Sequence, residues 1–328
     1  MSEKKLDAIA IGACNLDEVA FVPKFAEAEE KINATSYYPP CAAGVAMDCI
    51  SQVNKMGLKT GWFGISGDDA AGLAAVQELV DDGIDTSRSI AAKGERTSKA
   101  WISVNNKSGE RCHVIIPMGD AGNIKPKHVL KNKDYFENAR LIHLELLQMP
   151  IDGMIEAAKI AQAAGNAVSF DLDVAPKYAY DSEYATPESL RELIANTTIL
   201  KACKNAAVDF CGCDDFEKAA KQMLDMGPKV VIITIGEKGC IVAYREGGEA
   251  KTVIAPGYEG LTIVDTTGAG DAFQGGFIYG YLNGYDYKTC GAIANACGYL
   301  KSTRVGARNS VPKDEVLAFL EKQGITGV

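Results

Sequence analysis

The residues with the clearest chemical potential lie between Val264 and Phe273, a stretch that reads Val-Asp-Thr-Thr-Gly-Ala-Gly-Asp-Ala-Phe. Gly268 and Gly270 lack a Cβ, so the backbone there can turn tightly and approach a ligand closely. The first N–H groups of a helix have no partner within the helix, and together with the helix dipole they form a site suited to phosphate. Asp271 would lie at the mouth of this site, where bound phosphate repels it. Its type and place favour a base that takes a proton from an attacking hydroxyl, the alternative being a plain helix start at which Asp271 only supplies capping charge.

The elements that must position this stretch follow from the hydrophobic pattern. A β-branched run, Thr262 to Val264, precedes the stretch and an apolar segment follows it, so we expect a strand, a glycine-rich turn and a helix. The pattern predicts seven further strands: Ala8–Gly12, Thr60–Ile65, Leu141–Leu144, Ala167–Asp171, Thr198–Leu200, Val230–Ile235 and Ile241–Tyr244. It predicts seven helices: Val45–Met56, Ala70–Asp82, Asp152–Ala164, Phe216–Met226, Asp271–Tyr281, Tyr287–Ser302 and Lys313–Lys322. This alternation implies an α/β fold with a mostly parallel sheet and helices on both faces.

Two segments, at about residues 18–38 and 96–117, interrupt the βα rhythm. They contain four predicted strands: Glu18–Val22, Ala34–Tyr38, Thr97–Asn105 and Arg111–Ile116. The last two flank a turn at Asn106-Lys107-Ser108-Gly109, as in a β-hairpin. We expect one small sheet that stands off the main sheet as a lid, the alternative being ordinary edge strands. Its exposed edge favours pairing with a second copy, which predicts a homodimer.

Size and composition narrow the class of protein. The chain has 328 residues, of which 47% are hydrophobic, which fits one large α/β domain over residues 1–328. A net charge of −9 argues against nucleic acid or an anionic membrane as the main partner. No segment approaches about 18 uninterrupted apolar residues, and the N-terminus has no apolar signal region. We therefore expect a cytoplasmic protein whose ten cysteines are reduced thiols.

The string Asp265–Phe273 closely resembles the second signature of the ribokinase (PfkB) family of carbohydrate kinases, and further motifs match along nearly the whole chain. The resemblance implies a ribokinase-like fold and transfer of the γ-phosphoryl group of ATP, with Mg²⁺, to a hydroxymethyl group of a sugar or polyol. Asp271 would be the base. The amides of Gly268, Ala269 and Gly270 would stabilise charge on the transferring phosphoryl group.

Candidate acceptor-binding residues lie near the first strand and after the third. Asn15 and Asp17 can hydrogen-bond a polyol, although the same residues also build turns. The family places an aspartate that binds sugar hydroxyls at a similar position, which favours Asp17. Gly44 and Asp48 resemble the family's first signature, except that the first of its two glycines is an alanine here and Asp48 replaces an asparagine. Glu145 resembles a position near the substrate pocket, although a lone glutamate after a strand is more often at the surface.

Further motifs resemble the family's nucleotide site. Thr234, Gly236 and Gly239 match a T-x-G-x-x-G loop that the family places over the nucleotide. Asn295 would lie near adenine. Asn205 begins a match to the Asn-x-x-Glu motif that helps hold the magnesium-bound phosphates.

The cation sites of the family are matched less well. Val208 stands where the Asn-x-x-Glu motif has its glutamate, so Mg²⁺ binding is looser or another carboxylate, such as Asp171 or Asp173, takes that role. Four residues match positions around a monovalent-cation (K⁺) site of several members: Asp265, Thr267, Gly306 and Ser310.

Three other functions stay open at this point. A nucleoside kinase of the same family shares every motif, and Tyr37, Tyr38 and Trp101 in the lid are aromatic residues on which a base could stack. A nicotinamide dehydrogenase needs G-x-G-x-x-G after the first strand, and Gly12 stands there without that pattern. A non-catalytic sugar-binding regulator is supported by the missing glutamate alone, and the intact Asp271 argues against it.

Overall fold

A computed structural model describes residues 4–108 and 110–328, so Gly109 of the predicted hairpin turn and the first three residues lie outside the described part. The strands in it are β1 (Leu6–Ile11), β2 (Asn15–Val22), β3 (Ser36–Ala43), β4 (Thr60–Phe63), β5 (Ile65–Gly67), β6 (Ile90–Ala92), β7 (Ser98–Asn105), β8 (Arg111–Ile116), β9 (Ala139–Glu145), β10 (Ala167–Leu172), β11 (Ile199–Cys203), β12 (Val230–Thr234), β13 (Gly239–Glu246) and β14 (Glu249–Pro256). The α-helices are α1 (Val45–Lys55), α2 (Ala70–Asp81), α3 (Pro126–Lys131), α4 (Lys133–Glu137), α5 (Asp152–Ala163), α6 (Pro176–Asp181), α7 (Pro187–Ala195), α8 (Lys204–Cys211), α9 (Phe216–Leu224), α10 (Ala269–Leu282), α11 (Tyr287–Lys301) and α12 (Lys313–Lys322).

The main sheet has eight strands in the order β14-β13-β12-β11-β10-β9-β1-β4. The strands from β12 to β4 are parallel to one another, and β13 and β14 add an antiparallel edge. The parallel strands are almost wholly apolar because helices cover both faces of the sheet. Their carboxyl ends therefore meet along one edge, where ligands bind in sheets of this kind.

Helices pack on both faces of the main sheet, as the alternation of elements predicts. Neighbouring residues of one strand point to opposite faces, so Leu141 and Ile142 of β9 belong to different hydrophobic clusters. Helices α5, α7 and α9 pack on the Ile142 side, and α1, α2, α10 and α11 pack on the Leu141 side. Side-chain caps fix several helix starts; Asp286, for example, accepts the Thr289 N–H at 2.9 Å before α11.

The two segments that interrupt the βα rhythm form one separate sheet, with the order β3-β2-β7-β8, which we call the small sheet. Strand β2 runs parallel to β7, and β3 and β8 are the antiparallel edges. Strand β2 begins at Asn15, three residues before the predicted start, so Asn15 and Asp17 are strand residues rather than parts of a turn. A third, two-stranded sheet joins β5 and β6.

One predicted element is wrong. Thr262 to Val264 is not a strand, because it has no neighbouring strand with which to pair. The amides of Val264 and Asp265 instead donate to one carbonyl, that of Ser302, at 2.8 and 3.1 Å. The glycine turn is thus reached through an irregular loop fastened to the end of α11. In residues 4–108 and 110–328, no helix is long and apolar enough to cross a bilayer.

Candidate active site

Polar and charged side chains form a row across the carboxyl ends of three parallel strands. In the register of the sheet, Glu145 of β9 lies opposite Asp171 of β10, and Asp171 lies opposite Lys201 of β11. All three side chains are buried. Buried ionisable groups are costly unless they are paired or used, so their concentration at this edge marks the candidate site.

The glycine turn closes over this row at the start of α10. Gly268 has φ of 77°, and a Cβ there would lie 2.2 Å from a main-chain carbonyl oxygen, so only glycine fits. The N–H of Ala269 donates to the carbonyl of Thr266 at 3.2 Å, so this predicted anion donor is engaged. The N–H groups of Gly268, Gly270 and Asp271 have no acceptor in the described part of the chain. These three amides are the donors available to an anion.

Asp271 lies in the first turn of α10 and is buried. Burial raises its pKa well above the usual value, and the charges of Asp48 and Asp173 act in the same direction, whereas Lys201 opposes them. A carboxyl group with a raised pKa is a stronger base once it is deprotonated, which suits proton transfer from an alcohol. The role of Asp271 as the base stays a prediction.

Lys201 is a site residue that the sequence analysis missed. Its Nζ lies 2.6 Å from Asp171 Oδ2 and 3.8 Å from Asp173 Oδ1. Burial opposes the charge, but Asp171 and Asp173 hold the pKa of Lys201 above its usual value. A Cβ on Gly270 would lie only 3.3 Å from the Lys201 Nζ, so a permanent positive charge lies directly behind the anion site. The only signal in the sequence is a lysine at the end of an apolar strand.

Three of the residues predicted to bind the acceptor share an unusual feature. Within the described residues, Asn15 Oδ1, Asp48 Oδ1 and Glu145 Oε2 are buried and accept no hydrogen bond. Leaving such an acceptor unpaired costs about 1–3 kcal/mol, so three together call for a ligand that brings donors. Asp17 is also buried, and burial with the nearby charge of Asp265 raises its pKa to about 7.

Glu145 and Gly44 both pack against the backbone that follows β1. Glu145 is fully buried, which excludes the surface position, and burial raises its pKa to about 8. Gly44 has φ of 137°, and a Cβ there would lie 2.6 Å from the Ala13 carbonyl oxygen. Asp48 follows in the first turn of α1, where burial and then the charge of Asp17 raise its pKa. The predicted acceptor residues are thus brought together by β2, α1 and β9.

The predicted nucleotide residues lie further along the same edge. Thr234 ends β12, and Gly236 begins the short turn that leads to β13 at Gly239. Asn295 of α11 donates to two main-chain carbonyls at the end of β14, at 2.9 and 3.0 Å. Its amide nitrogen therefore holds β14, and its contact with adenine stays a prediction.

Residues suited to a magnesium ion are few. Asn205 and Val208 are both exposed in α8, immediately after β11. No group of three or more His, Cys, Asp and Glu in the described ranges could hold a metal ion by itself. Mg²⁺ in phosphoryl-transfer sites is bound by one or two carboxylates together with substrate phosphates, so such a cage is not required. Asp173, whose side chain is 33% exposed beside Gly270, fits that role.

The four residues matched to a monovalent-cation site lie around the loop before the glycine turn. Asp265 Oδ1 accepts from Thr267 N and Oγ1 at 2.9 and 2.7 Å, and Oδ2 accepts from Gly306 N at 2.9 Å. Although burial acts the other way, the hydrogen bonds from Thr267 hold the pKa of Asp265 below its usual range. Ser310 is buried nearby, and its carbonyl accepts from the Arg304 guanidinium at 3.1 Å.

Arg111 of β8 connects the small sheet to this loop, which the sequence analysis did not foresee. Its guanidinium donates to Thr267 Oγ1 and, at 2.8 Å, to Thr266 Oγ1, and it lies 3.5 Å from Asp265 Oδ1. The partners are more than 150 residues apart in sequence, so no local pattern announces them. The small sheet thus reaches over the glycine turn.

Comparison with known proteins identifies the family of the chain. The model of the pfkB family of carbohydrate kinases matches residues 5–314. The chain belongs to the PfkB family of carbohydrate kinases. It is 30% identical to a 5-dehydro-2-deoxygluconokinase of Geobacillus thermodenitrificans over 86% of this chain and 83% of that protein. It is 28% identical to a ribokinase of Haemophilus influenzae over 95% and 97% of the two chains.

A solved PfkB-type structure has the same fold. Ribokinase of Arabidopsis thaliana, complexed with ribose and ATP, superposes with a TM-score of 0.78 at 22% identity, over 96% of this chain and 99% of that one. The predicted ribokinase-like fold, a mostly parallel sheet with helices on both faces and an additional small sheet, is therefore confirmed. The protein is a kinase of this family.

Proposed function

We propose that this kinase transfers the γ-phosphoryl group of ATP to a hydroxymethyl group of a neutral sugar or related polyol. The observation that carries the proposal is the set of buried acceptors without donors, Asn15 Oδ1, Asp48 Oδ1 and Glu145 Oε2, beside the buried Asp271. Sugar hydroxyls donate hydrogen bonds, whereas a phosphate group is mainly an acceptor and would leave these oxygens unpaired.

Asp271 acts as the base. It accepts the proton of the acceptor hydroxyl while that oxygen forms a bond to the γ-phosphorus and the bond from phosphorus to the leaving oxygen of ADP breaks. The unpaired amides of Gly268 and Gly270 donate to the oxygens of the transferring group, and Lys201 adds positive charge behind them. Because these donors are fixed before the reaction, they stabilise developing charge without reorganisation.

The nucleotide would lie along the edge from β12 to α11, against Thr234, Gly236, Gly239 and Asn295. Mg²⁺, when bound, offsets the charge of the nucleotide phosphates. Asp173 would hold it, and Asn205 lies at the adjacent helix start. The position of Val208, where the family has glutamate, leaves Asp173 as the carboxylate best placed for this role.

The small sheet serves as the lid of the site. Arg111 already contacts Thr266 and Thr267, so the sheet lies over the glycine turn in this structure. Closure keeps out water, which would otherwise compete with the acceptor for the phosphoryl group.

Neutral sugars should be better acceptors than the corresponding sugar phosphates. The carboxyl groups of Asp17, Asp48 and Glu145 repel a phosphate group whenever they are deprotonated, and the nearby Arg308 is engaged by Glu78 and by Asp82 at 2.7 Å. One partly shielded like-charge pair costs on the order of 1 kcal/mol or more, which predicts a kcat/KM at least about fivefold higher for the neutral compound. A coupled ADP-release assay over paired sugars and sugar phosphates, with nucleosides included, measures this.

The substitution Asp48→Asn should lower this ratio of kcat/KM values, because asparagine cannot carry the negative charge that a deprotonated Asp48 carries. The matched control is Asp225→Asn, which changes an exposed carboxylate at the end of α9 and should leave the ratio unchanged. A sugar phosphate that exceeds every neutral sugar and nucleoside in kcat/KM would refute a neutral acceptor.

A nucleoside acceptor is the second candidate, since nucleosides also carry a hydroxymethyl group. Tyr37, Tyr38 and Trp101 are 51%, 43% and 46% exposed on the small sheet. Trp101 lies opposite Val114, on the face that alternates with the buried Ala100 and Ile102, which favours a contact between molecules over base stacking. Measured phosphorylation of any acceptor would exclude the other open function, a non-catalytic sugar-binding regulator.

We propose a homodimer that forms through the small sheet. Trp101, Val114 and Ile116 are 46%, 54% and 55% exposed, an apolar set that a second copy would cover. Light scattering should give twice the chain mass for the wild type, and Trp101→Glu should shift the equilibrium to monomer. The control Leu73→Glu alters an equally exposed apolar residue on α2 and should keep the dimer. A wild-type protein that stays monomeric at high concentration would contradict the proposal.

A further inference from the structure

Lys301, the last residue of α11, has a fully buried side chain. Its Nζ donates to the carbonyl oxygen of Asp265 at 3.1 Å and to that of Arg304 at 3.3 Å. A buried ammonium without oxygen partners is costly, so these carbonyls are what holds it in place. Burial lowers the pKa of Lys301, and Arg111 acts in the same direction, whereas the charges of Asp265, Asp48 and Asp271 favour the ammonium.

The two carbonyls belong to two separate loops. Asp265 lies in the loop that leads to the glycine turn, and Arg304 lies in the loop that follows α11. The ammonium therefore bridges the loops as a cation held by main-chain carbonyl oxygens, which is how proteins also hold K⁺. The loops are further fastened by the amides of Val264 and Asp265 on the Ser302 carbonyl.

The surroundings of the Asp265 carboxylate are independent evidence against a bound metal cation. The two carboxylate oxygens already accept three hydrogen bonds, from Thr267 N, Thr267 Oγ1 and Gly306 N. The Arg111 guanidinium lies a further 3.5 Å from Oδ1. Protein donors already occupy Oδ1, and two cationic side chains supply positive charge around the carboxylate, so a metal cation placed there would be repelled. The resident groups thus do not fit the K⁺ site that the sequence resemblance implies.

We infer that the Lys301 ammonium takes the place of a monovalent metal cation in joining the two loops, so that this kinase needs no K⁺. Lys301 is a positioning residue: it fixes the Asp265 backbone, which leads directly into the Gly268 amide and the start of α10. The rate arm of the test rests on the proposed kinase function, whereas the stability arm does not.

The first experiment uses the wild-type protein in KCl and in choline chloride, each at about 0.1 M so that charge screening is equal. We expect the kcat values in the two salts to agree within about twofold. Lys301 already joins the loops, so K⁺ cannot improve the position of the reacting groups much further. We also expect the same melting temperature in both salts without nucleotide. A several-fold activation by K⁺, or a K⁺-specific rise in melting temperature, would overturn the inference.

The second experiment compares Lys301→Ala with Lys301→Met. Alanine leaves a space beside the two carbonyls, whereas methionine keeps most of the volume and removes the charge. Both should lower kcat about 10-fold or more in choline, since misplaced catalytic groups cost at least that much. KCl should restore activity and melting temperature for the alanine variant, and not for the methionine variant.

A wild-type kcat in Lys301→Met would show that the Lys301 charge does not join the loops. The same conclusion would follow if kcat and melting temperature of Lys301→Ala and Lys301→Met were no higher in KCl than in choline chloride. If no acceptor is phosphorylated under any condition, the proposed function fails, and the melting temperatures still decide the inference. Should Lys301→Ala not fold in choline but fold in KCl, the inference is supported in its strongest form.

Discussion

Replacing Asp271 by asparagine should lower kcat by at least ~10²-fold, the effect expected for loss of a general base. Asparagine has nearly the same shape but cannot accept the hydroxyl proton. Nucleotide affinity should change little, because the Gly268 and Gly270 amides are main-chain groups that the substitution leaves in place. Steady-state kinetics and nucleotide titration measure both quantities. Near-normal turnover in a folded Asp271→Asn protein would show that Asp271 is not the base.

The pH dependence of kcat/KM provides a second measure of the same base. Only the deprotonated carboxylate accepts a proton, so the rate should rise with pH through the pKa of Asp271. Burial, and then the charges of Asp48 and Asp173, raise that pKa, so the acidic limb should lie above the usual range for aspartate. Asp48→Asn should move the limb to lower pH. A limb that stays in place would mean that Asp48 does not act on the base.

Replacing Lys201 by methionine should lower the free energy of unfolding by about 3–5 kcal/mol, because it leaves Asp171 buried without its partner. The pair is fully buried, with Nζ and Oδ2 2.6 Å apart, so solvent cannot screen the uncompensated charge. Turnover should fall as well, since positive charge disappears from behind Gly270. Denaturant unfolding and kinetics of the folded fraction measure the two effects separately.

A matched control for Lys201→Met is Lys177→Met. Lys177 also pairs with an aspartate, at 2.7 Å, but both side chains are largely exposed, so the free energy of unfolding should be almost unchanged. The double variant Asp171→Asn, Lys201→Met should regain part of the stability lost by Lys201→Met, because no buried charge remains unpaired. Equal effects at Lys177 and Lys201 would contradict the special role of the buried pair.

The parts of the fold that the sequence predicts are those governed by local periodicity. The parallel strands and the helices α1, α2, α5 and α9 to α12 follow from apolar spacing, whereas α3, α4 and α6 to α8 were not predicted. The small sheet follows from alternation that breaks this spacing. Thr262 to Val264 shows the limit of this reasoning. Its β-branched residues favour a strand, but whether a neighbouring strand exists is a property of the tertiary structure, and here the Ser302 carbonyl takes the amides instead.

The candidate site divides in the same way. Asp271 and the glycine turn can be identified from spacing because they are contiguous in the chain. Arg111, Lys201 and Lys301 cannot, since each has a partner 30 or more residues away, and a lysine in a sequence ordinarily indicates a solvated surface. Burial makes Lys201 and Lys301 site residues, and contact with the glycine turn makes Arg111 one, and both features are set by the assembled fold.

Asp17 belongs to the small sheet, while Asp48 and Asp271 belong to α1 and α10, which pack on the main sheet. A polyol held by Asp17 and Asp48 together would therefore bind more tightly to the closed arrangement than to any open one. Binding of the acceptor and closure of the small sheet over Asp271 are then linked, because the acceptor shifts the population toward the closed arrangement. Such an enzyme would select its acceptor before phosphoryl transfer from ATP. A compound that leaves Asp17 without a partner would then bind more weakly and also react more slowly.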